Sequence, residues 1–106
     1  MRFFVVCEDD ATVAMGALKQ LSGTHGELKS MHVREDRRGG GLADRVLERL
    51  VEAAREAGLA RLSLETGSQD AFAPARAFYV RHGFAFCEPF EGYALDPNSV
   101  FMTRTI

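Results

Sequence analysis

The chain has 106 residues, of which 46% are hydrophobic, and carries a formal net charge of −2. This length accommodates one small domain, residues 1–106, and eight phenylalanines help to supply its core. The dispersed lysines and arginines do not indicate a nucleic-acid surface, no apolar run reaches the roughly 18 residues of a membrane span, and early acidic residues argue against a signal peptide. We therefore expect a cytoplasmic protein with no nucleic-acid or membrane partner.

The cysteines and histidines do not form a recognisable site. Cys7 and Cys87 lie far apart, each in an apolar, strand-like segment. A disulfide between them is one alternative, but a cytoplasmic protein favours buried free thiols. The three histidines are dispersed at spacings that do not suit a metal, so we predict no metal site. Only His32 is close enough to a glycine-rich segment to line a pocket there.

The first third of the chain predicts three antiparallel strands in a meander. Apolar runs separated by short polar segments indicate strands at Phe3 to Cys7, Ala11 to Leu21 and Glu27 to Val33. Gly16 lies inside the second of these, where a glycine suggests a bulge or a close approach of another group.

The segment from Met31 to Val46 passes from a strand into a glycine run and then into a helix. Free N–H groups in the first helical turn and the helix dipole together favour a bound anion, and glycines let it approach the backbone closely. The run lacks the Lys-Ser/Thr ending of a Walker loop and the Gly-x-Gly-x-x-Gly spacing of a dinucleotide fold. A flexible loop that only happens to precede a helix is the alternative, because a short glycine run is a weak signal.

The helix after the glycines has the clearest periodicity in the chain. Apolar residues recur at three- and four-residue steps from Leu42 to Ala54, charged residues occupy the other side, and Gly58 supplies the terminating cap. Arg61 to Thr66 predicts a fourth strand, parallel to the third because one helix separates them, with a right-handed crossover.

The last third of the chain predicts one helix and two strands. Pro74 to His82 is a short helix with proline at its start and Gly83 at its stop. Phe84 to Phe90 and Ser99 to Thr105 are the last strands, joined by a loop. The predicted order is β-β-β-α-β-α-β-β, an α/β fold with a mixed sheet and a central parallel β-α-β unit.

Two motifs in this order resemble those of the GNAT superfamily, the Gcn5-related N-acetyltransferases. Arg38-Gly39-Gly40-Gly41-Leu42-Ala43 matches the family signature Gln/Arg-x-x-Gly-x-Gly/Ala at every defined position. Ala75-Arg-Ala-Phe78-Tyr79-Val-Arg-His-Gly83-Phe84 looks like the second signature, Ala-x-x-Leu-Tyr-x-x-x-Gly-Phe. The resemblance covers essentially the whole chain and implies an acetyl-CoA-dependent N-acetyltransferase with a GNAT-like fold.

The resemblance also implies how the acetyl donor binds. The turn would wrap the pyrophosphate of acetyl-CoA with Gly39, Gly41, Ala43 and Arg38, and Gly40 and Leu42 belong to the same turn. The end of the third strand would offer backbone groups to the pantetheine, as an added β-strand does. The residues concerned are Met31, His32 and Val33.

Catalytic roles follow from the same resemblance. Tyr79 matches the tyrosine that protonates the leaving thiolate, and Glu27 lies where several members carry a glutamate that accepts the proton of the amine, directly or through water. Glu65 is expected to be structural or to face the acceptor. Tyr93 and Asp96 are candidates for shaping the acceptor pocket, although turn chemistry explains Asp96 equally well.

The chain also departs from the family pattern. Members usually open with a strand and two helices, whereas this chain begins at what looks like the second strand, so it resembles a short form. It is a fragment or has a misassigned start, or it is a minimal form that forms a homodimer to cover its sheet, or it is a non-catalytic CoA-binding or assembly module. A plain structural domain whose glycines serve only the turn is a further alternative. Phe72 stands where many members have an asparagine that contacts CoA.

Overall fold

The computed structural model describes all 106 residues as one mixed sheet with two helices. Two single-turn 3₁₀ segments, Glu35–Arg37 and Asp70–Phe72, precede the helices. The predicted order β-β-β-α-β-α-β-β is confirmed. In chain order the elements are β1 (Arg2–Glu8), β2 (Ala11–Gln20), β3 (His25–Val33), α1 (Leu42–Glu56), β4 (Arg61–Gly67), α2 (Ala73–Arg81), β5 (Ala85–Cys87) and β6 (Ser99–Thr105).

The six strands lie in the order β1-β2-β3-β4-β6-β5. The first three strands form the predicted antiparallel meander, and β3 and β4 are parallel, as the single intervening helix requires. The last strand, β6, inserts between β4 and β5 and pairs antiparallel with both. Neither helix is long and apolar enough to cross a membrane.

Both helices cover the same face of the sheet. Seven residues of α1 are buried, and they share one core cluster with Leu28 of β3, Leu64 of β4 and Tyr79 of α2. Full burial of one such leucine contributes about 1.5–3 kcal/mol. On the opposite face at the β1 edge, Phe3 and Val5 are more than half exposed. The apolar stripe of α1 therefore sets which face becomes the core.

A bulge in β3 separates that strand from β4. Met15 pairs with His32 and Ala17 with Lys29, so Gly16 of β2 opposes two residues, and one of them, Ser30, has a φ of +56°. A bulge bends its strand and increases the local twist. Pairing of β3 with β4 accordingly ends at Glu27 and Ser63, and the two strands diverge beyond that point.

The close approach predicted at Gly16 is confirmed. A Cβ at this position would lie 2.7 Å from Met31 Sδ and 2.8 Å from side-chain atoms of Leu50 and Val46. Only glycine therefore lets α1 and the bulged strand pack this tightly over β2.

Two details of the prediction are wrong. The strand predicted from Phe84 to Phe90 is regular only over Ala85–Cys87, because Pro89 has no N–H to donate and the chain leaves the sheet there. Cys7 and Cys87 are free thiols as expected, but Cys7 is exposed and Cys87 only half-buried. Cys7 alternates with Phe4 and Val6, which pack towards the core, so it points to the uncovered face.

Candidate functional site

A cleft of about 840 Å³ opens where β3 and β4 diverge. Its walls come from β3, the glycine turn, the end of β4 and α2. Among the residues singled out in the sequence, it is lined by Met31, His32, Val33, Arg38, Gly39, Gly41, Leu42, Ala43 and Tyr79. Gly40 and Glu27 do not line it.

The glycine turn has the backbone geometry of an anion site. Gly39 and Gly41 have φ of +82° and +83°, and Gly41 is the N-cap of α1 in the left-handed conformation that favours glycine. No side chain caps this helix. The N–H groups of its first turn, from Leu42 to Asp44, have no acceptor within the helix. They also donate to no backbone oxygen in the turns and loops. They remain free to donate to an anion in the cleft.

The two arginines before the turn are held differently. Arg37 forms an ion pair with Glu8 of β1. Arg38 donates through Nε to the backbone oxygen of Val33, 3.1 Å away, so its guanidinium is anchored at one nitrogen and its remaining N–H groups have no protein partner. Arg38 therefore keeps most of its donors for a ligand at the mouth of the cleft.

The carboxylate of Asp44, in the first turn of α1, is paired with residues at the C-terminal end of α2. Asp44 Oδ1 lies 2.7 Å from His82 Nε2 and accepts a hydrogen bond of 2.9 Å from Arg81. The hydrogen bond with His82, followed by that with Arg81, lowers the pKa of Asp44. Because the charge of Asp44 is compensated, it opposes an anion at the helix terminus less, and the contact joins α2 to the start of α1.

Tyr79 places a protonated phenol in the cleft. The residue is only 8% exposed, and its ring packs edge-on against Phe78 and Phe84 with centroids 5.2 and 5.7 Å away. Its hydroxyl makes no hydrogen bond within the protein, yet it is not sealed from solvent. Burial raises the pKa of Tyr79 to about 12, so the hydroxyl is an available donor at neutral pH.

Glu27 lies on the other face of the sheet, at the point where β3 and β4 part. It is 3% exposed, and its Oε2 accepts a hydrogen bond of 2.6 Å from the Tyr93 hydroxyl. Lys29 Nζ lies 3.9 Å from the same oxygen. Glu65 lies on β4, two residues beyond Ser63, the pairing partner of Glu27. It lines the cleft and accepts a hydrogen bond of 2.7 Å from Ser99. The two carboxylates therefore flank the divergence of the strands.

Sequence reasoning missed several of these contacts. His25 Nε2 lies 2.6 Å from Ser63 Oγ, and His82 bonds Asp44, although both histidines read as ordinary polar positions. No sequence signal predicts these pairs, because each joins residues 38 positions apart. Phe72, the departure from the family pattern, lines the cleft and is 45% exposed. No group of three or more His, Cys, Asp or Glu side chains is arranged to hold a metal ion.

Comparisons with known proteins agree with this architecture. The family model described as Acetyltransferase (GNAT) family matches residues 1–84. The N-acetyltransferase YsnE of Bacillus subtilis is 47% identical over 104 residues, which are 98% of this chain and 69% of YsnE. The N-acetyltransferase YedL of Escherichia coli is 43% identical over 104 residues, 98% of this chain and 65% of YedL.

A solved structure shows the same fold. The crystal structure described as an acyl-CoA N-acyltransferase from Klebsiella pneumoniae superposes with a TM-score of 0.89 at 30% identity, covering 97% of this chain and 70% of that one. The chain thus spans about two thirds of the length of the relatives it matches.

Proposed function

The chain belongs to the GNAT acetyltransferase family, and we propose that it transfers the acetyl group of acetyl-CoA to a primary amine by direct attack in a ternary complex. The observation that carries this proposal is the single cleft in which an uncapped, glycine-lined helix N-terminus and an unpaired tyrosine hydroxyl face the same space. An anion site joined to a proton donor is what a phosphate-bearing thioester requires.

The residues of the cleft suit acetyl-CoA. The free N–H groups of the turn from Gly39 to Ala43, with the spare donors of Arg38, would hold the pyrophosphate. The edge of β3 beyond Glu27 has lost its partner strand on the β4 side. Between Met31 and Val33, the backbone groups that neither pair with β2 nor accept from Arg38 would pair with the amides of pantetheine. The apolar side chains of Leu28, Leu64 and Phe78 line the space between these two places.

The reaction itself needs only side chains and backbone of this chain. The amine reaches Glu27 as an ammonium and gives it a proton, directly or through water, because only the neutral amine attacks. Its nitrogen forms a bond to the thioester carbon, and the oxyanion is stabilised by a backbone N–H of β3. The C–S bond then breaks, and the departing CoA thiolate takes the proton of the Tyr79 hydroxyl. As the amide forms, the second proton on its nitrogen passes through water to the Tyr79 phenolate, and Glu27 returns its own proton to solvent. No covalent intermediate with the enzyme is required.

Release of free thiol from acetyl-CoA in the presence of a panel of primary amines tests this function. We expect Tyr79→Phe to lower kcat on the order of 10²-fold, the usual contribution of a positioned acid. Thermal stability should hold, because the lost hydroxyl makes no hydrogen bond in the protein. Unchanged kcat in Tyr79→Phe would remove this residue from the mechanism. Binding of acetyl-CoA without thiol release from any amine would instead favour the non-catalytic CoA-binding module.

A further inference from the structure

The proposed reaction does not use Tyr93, although this residue makes the shortest contact of Glu27. The hydroxyl of Tyr93 donates to Glu27 Oε2 at 2.6 Å across 66 positions of sequence. Tyr93 lies in the irregular segment 88–98 between β5 and β6, and its side chain contacts Glu27 of β3 and Phe101 of β6. The contact therefore links the loop on the acceptor side to the base.

The loop holds the Tyr93 ring in place. The ring packs against Phe90 and Phe101, with centroids 5.0 and 5.4 Å away, and the backbone N–H of Tyr93 donates to the oxygen of Phe90. Ser68 donates to the backbone oxygen of Pro97 at 2.5 Å at the far end of the loop, whereas the contacts that hold the Tyr93 ring are those with Phe90 and Phe101. A phenol held by packing and by a fixed backbone is a rigid donor.

The hydrogen bond distinguishes the two oxygens of Glu27. Both the Tyr93 hydroxyl and Lys29 Nζ approach Oε2, whereas Oε1 has no hydrogen-bond partner in the protein and is not sealed from solvent. When nothing holds a glutamate carboxylate, its terminal torsion angle has a broad and roughly two-fold distribution. The contact with Tyr93 therefore leaves one oxygen, Oε1, free in a constant direction.

We propose that Tyr93 is the positioning residue of the acceptor site, holding Glu27 by Oε2 so that Oε1 faces the amine whose proton it accepts. This inference rests on the proposed function, in which Glu27 is the base. The hydrogen bond to Glu27, more than burial, raises the pKa of Tyr93 to about 12, which keeps the hydroxyl a donor throughout the neutral range.

A double-mutant cycle tests the proposal. Thiol release is measured with n-butylamine, glycine, aniline and a tetrapeptide with a free amino terminus, and the best acceptor is used for the wild type, Tyr93→Phe, Glu27→Gln and the double variant. Loss of one hydrogen bond to a charged group predicts that Tyr93→Phe lowers kcat about 10- to 100-fold. The KM for acetyl-CoA should not change. In the Glu27→Gln background, Tyr93→Phe should have no further effect.

Ser68→Ala is the matched control, since it also removes one hydroxyl contact of the loop but leaves the Tyr93–Glu27 contact intact; we expect its kcat to equal that of the wild type. Full kcat in Tyr93→Phe while Glu27→Gln is impaired would overturn the role of Tyr93 alone. Effects that multiply in the double variant would overturn it as well, because Tyr93 would then act independently of Glu27. Full kcat in Glu27→Gln would overturn the base role of Glu27 and this inference with it, while acetyl transfer itself would stand. No thiol release with any amine would instead overturn the proposed function.

A spectroscopic readout tests the contact independently of turnover. The chain has two tyrosines and no tryptophan, so the absorbance of Tyr79→Phe reports Tyr93 alone. We expect a pKa of about 12 for Tyr93 in this variant, falling towards the ordinary 10.0 when Glu27→Gln is added, with the nearby charges of Lys29 and Glu65 unchanged in both. A Tyr93 pKa near 10.0 before Glu27 is replaced would contradict the contact.

Discussion

Replacement of Gly41 by aspartate tests whether the glycine turn binds the acetyl donor. Gly41 has a φ of +83° at the N-cap of α1, and the space where its Cβ would lie is empty. Gly58, past the end of the same helix, has a φ of +81°, an equally open Cβ position and no place in the cleft. The two substitutions therefore cost similar backbone strain, about 1–2 kcal/mol each. Gly58→Asp is the matched control.

The stabilisation by bound acetyl-CoA should differ between Gly41→Asp and Gly58→Asp. A ligand at one hundred times its Kd stabilises the folded chain by about 2.7 kcal/mol. For a domain of this size, that free energy raises the midpoint of thermal unfolding by roughly 10–20 °C. A carboxylate about 4 Å from a phosphate costs about 1–4 kcal/mol, depending on the local dielectric. A loss of about 2.7 kcal/mol raises Kd about 100-fold and leaves about 0.4 kcal/mol of stabilisation, or roughly 2–3 °C.

The assay is thermal unfolding with and without acetyl-CoA, monitored by circular dichroism. We expect the wild type and Gly58→Asp to show the full shift and Gly41→Asp to lose most of it. Equal shifts in the two variants would refute binding at the glycine turn. No shift in the wild type at millimolar acetyl-CoA would refute binding by this chain altogether.

Three further predictions follow from packing and charge. Gly16→Ala should lower the free energy of unfolding in urea by about 1–3 kcal/mol, since its Cβ would lie within 2.8 Å of three side chains, whereas Gly23→Ala, with open space around its Cβ, should not; equal stabilities would contradict the packing. Because the folded-state pKa of Asp44 is lowered, its contribution to stability is present above the ordinary value of 3.8 and is lost as pH falls through the lower folded-state pKa. Asp44→Asn should therefore reduce the loss of unfolding free energy at acid pH. An acid dependence equal to that of the wild type would argue against the contacts with His82 and Arg81. The exposed Phe3 and Val5 favour the expected homodimer, so light scattering at high micromolar concentration should give twice the 11.7 kDa chain mass, and a monomer throughout would contradict it.

Local patterns predict most of the fold. The helix from Leu42 onwards is predictable because its apolar residues repeat at helical spacing. The parallel pairing of β3 with β4 is predictable because a single helix lies between the two strands. The strand from Phe84 to Phe90 is overestimated because apolar character continues past the point where Pro89 ends regular pairing. The exposure of Cys7 was not predictable from its apolar neighbours, because it depends on which face of the sheet the helices cover.

One part of the candidate site is likewise predictable from local sequence, and the other part is not. The sequence by itself determines the glycine turn, since the left-handed conformations at Gly39 and Gly41 and the free N–H groups that follow them are local properties of a few adjacent residues. Only the tertiary structure decides that β3 bulges at Ser30, that β3 and β4 diverge into a cleft, and that β6 inserts beside β4. Only the tertiary structure brings Tyr93 to Glu27 and His82 to Asp44, because these contacts join distant segments whose meeting is set by the packing of the whole sheet and not by the sequence around either residue.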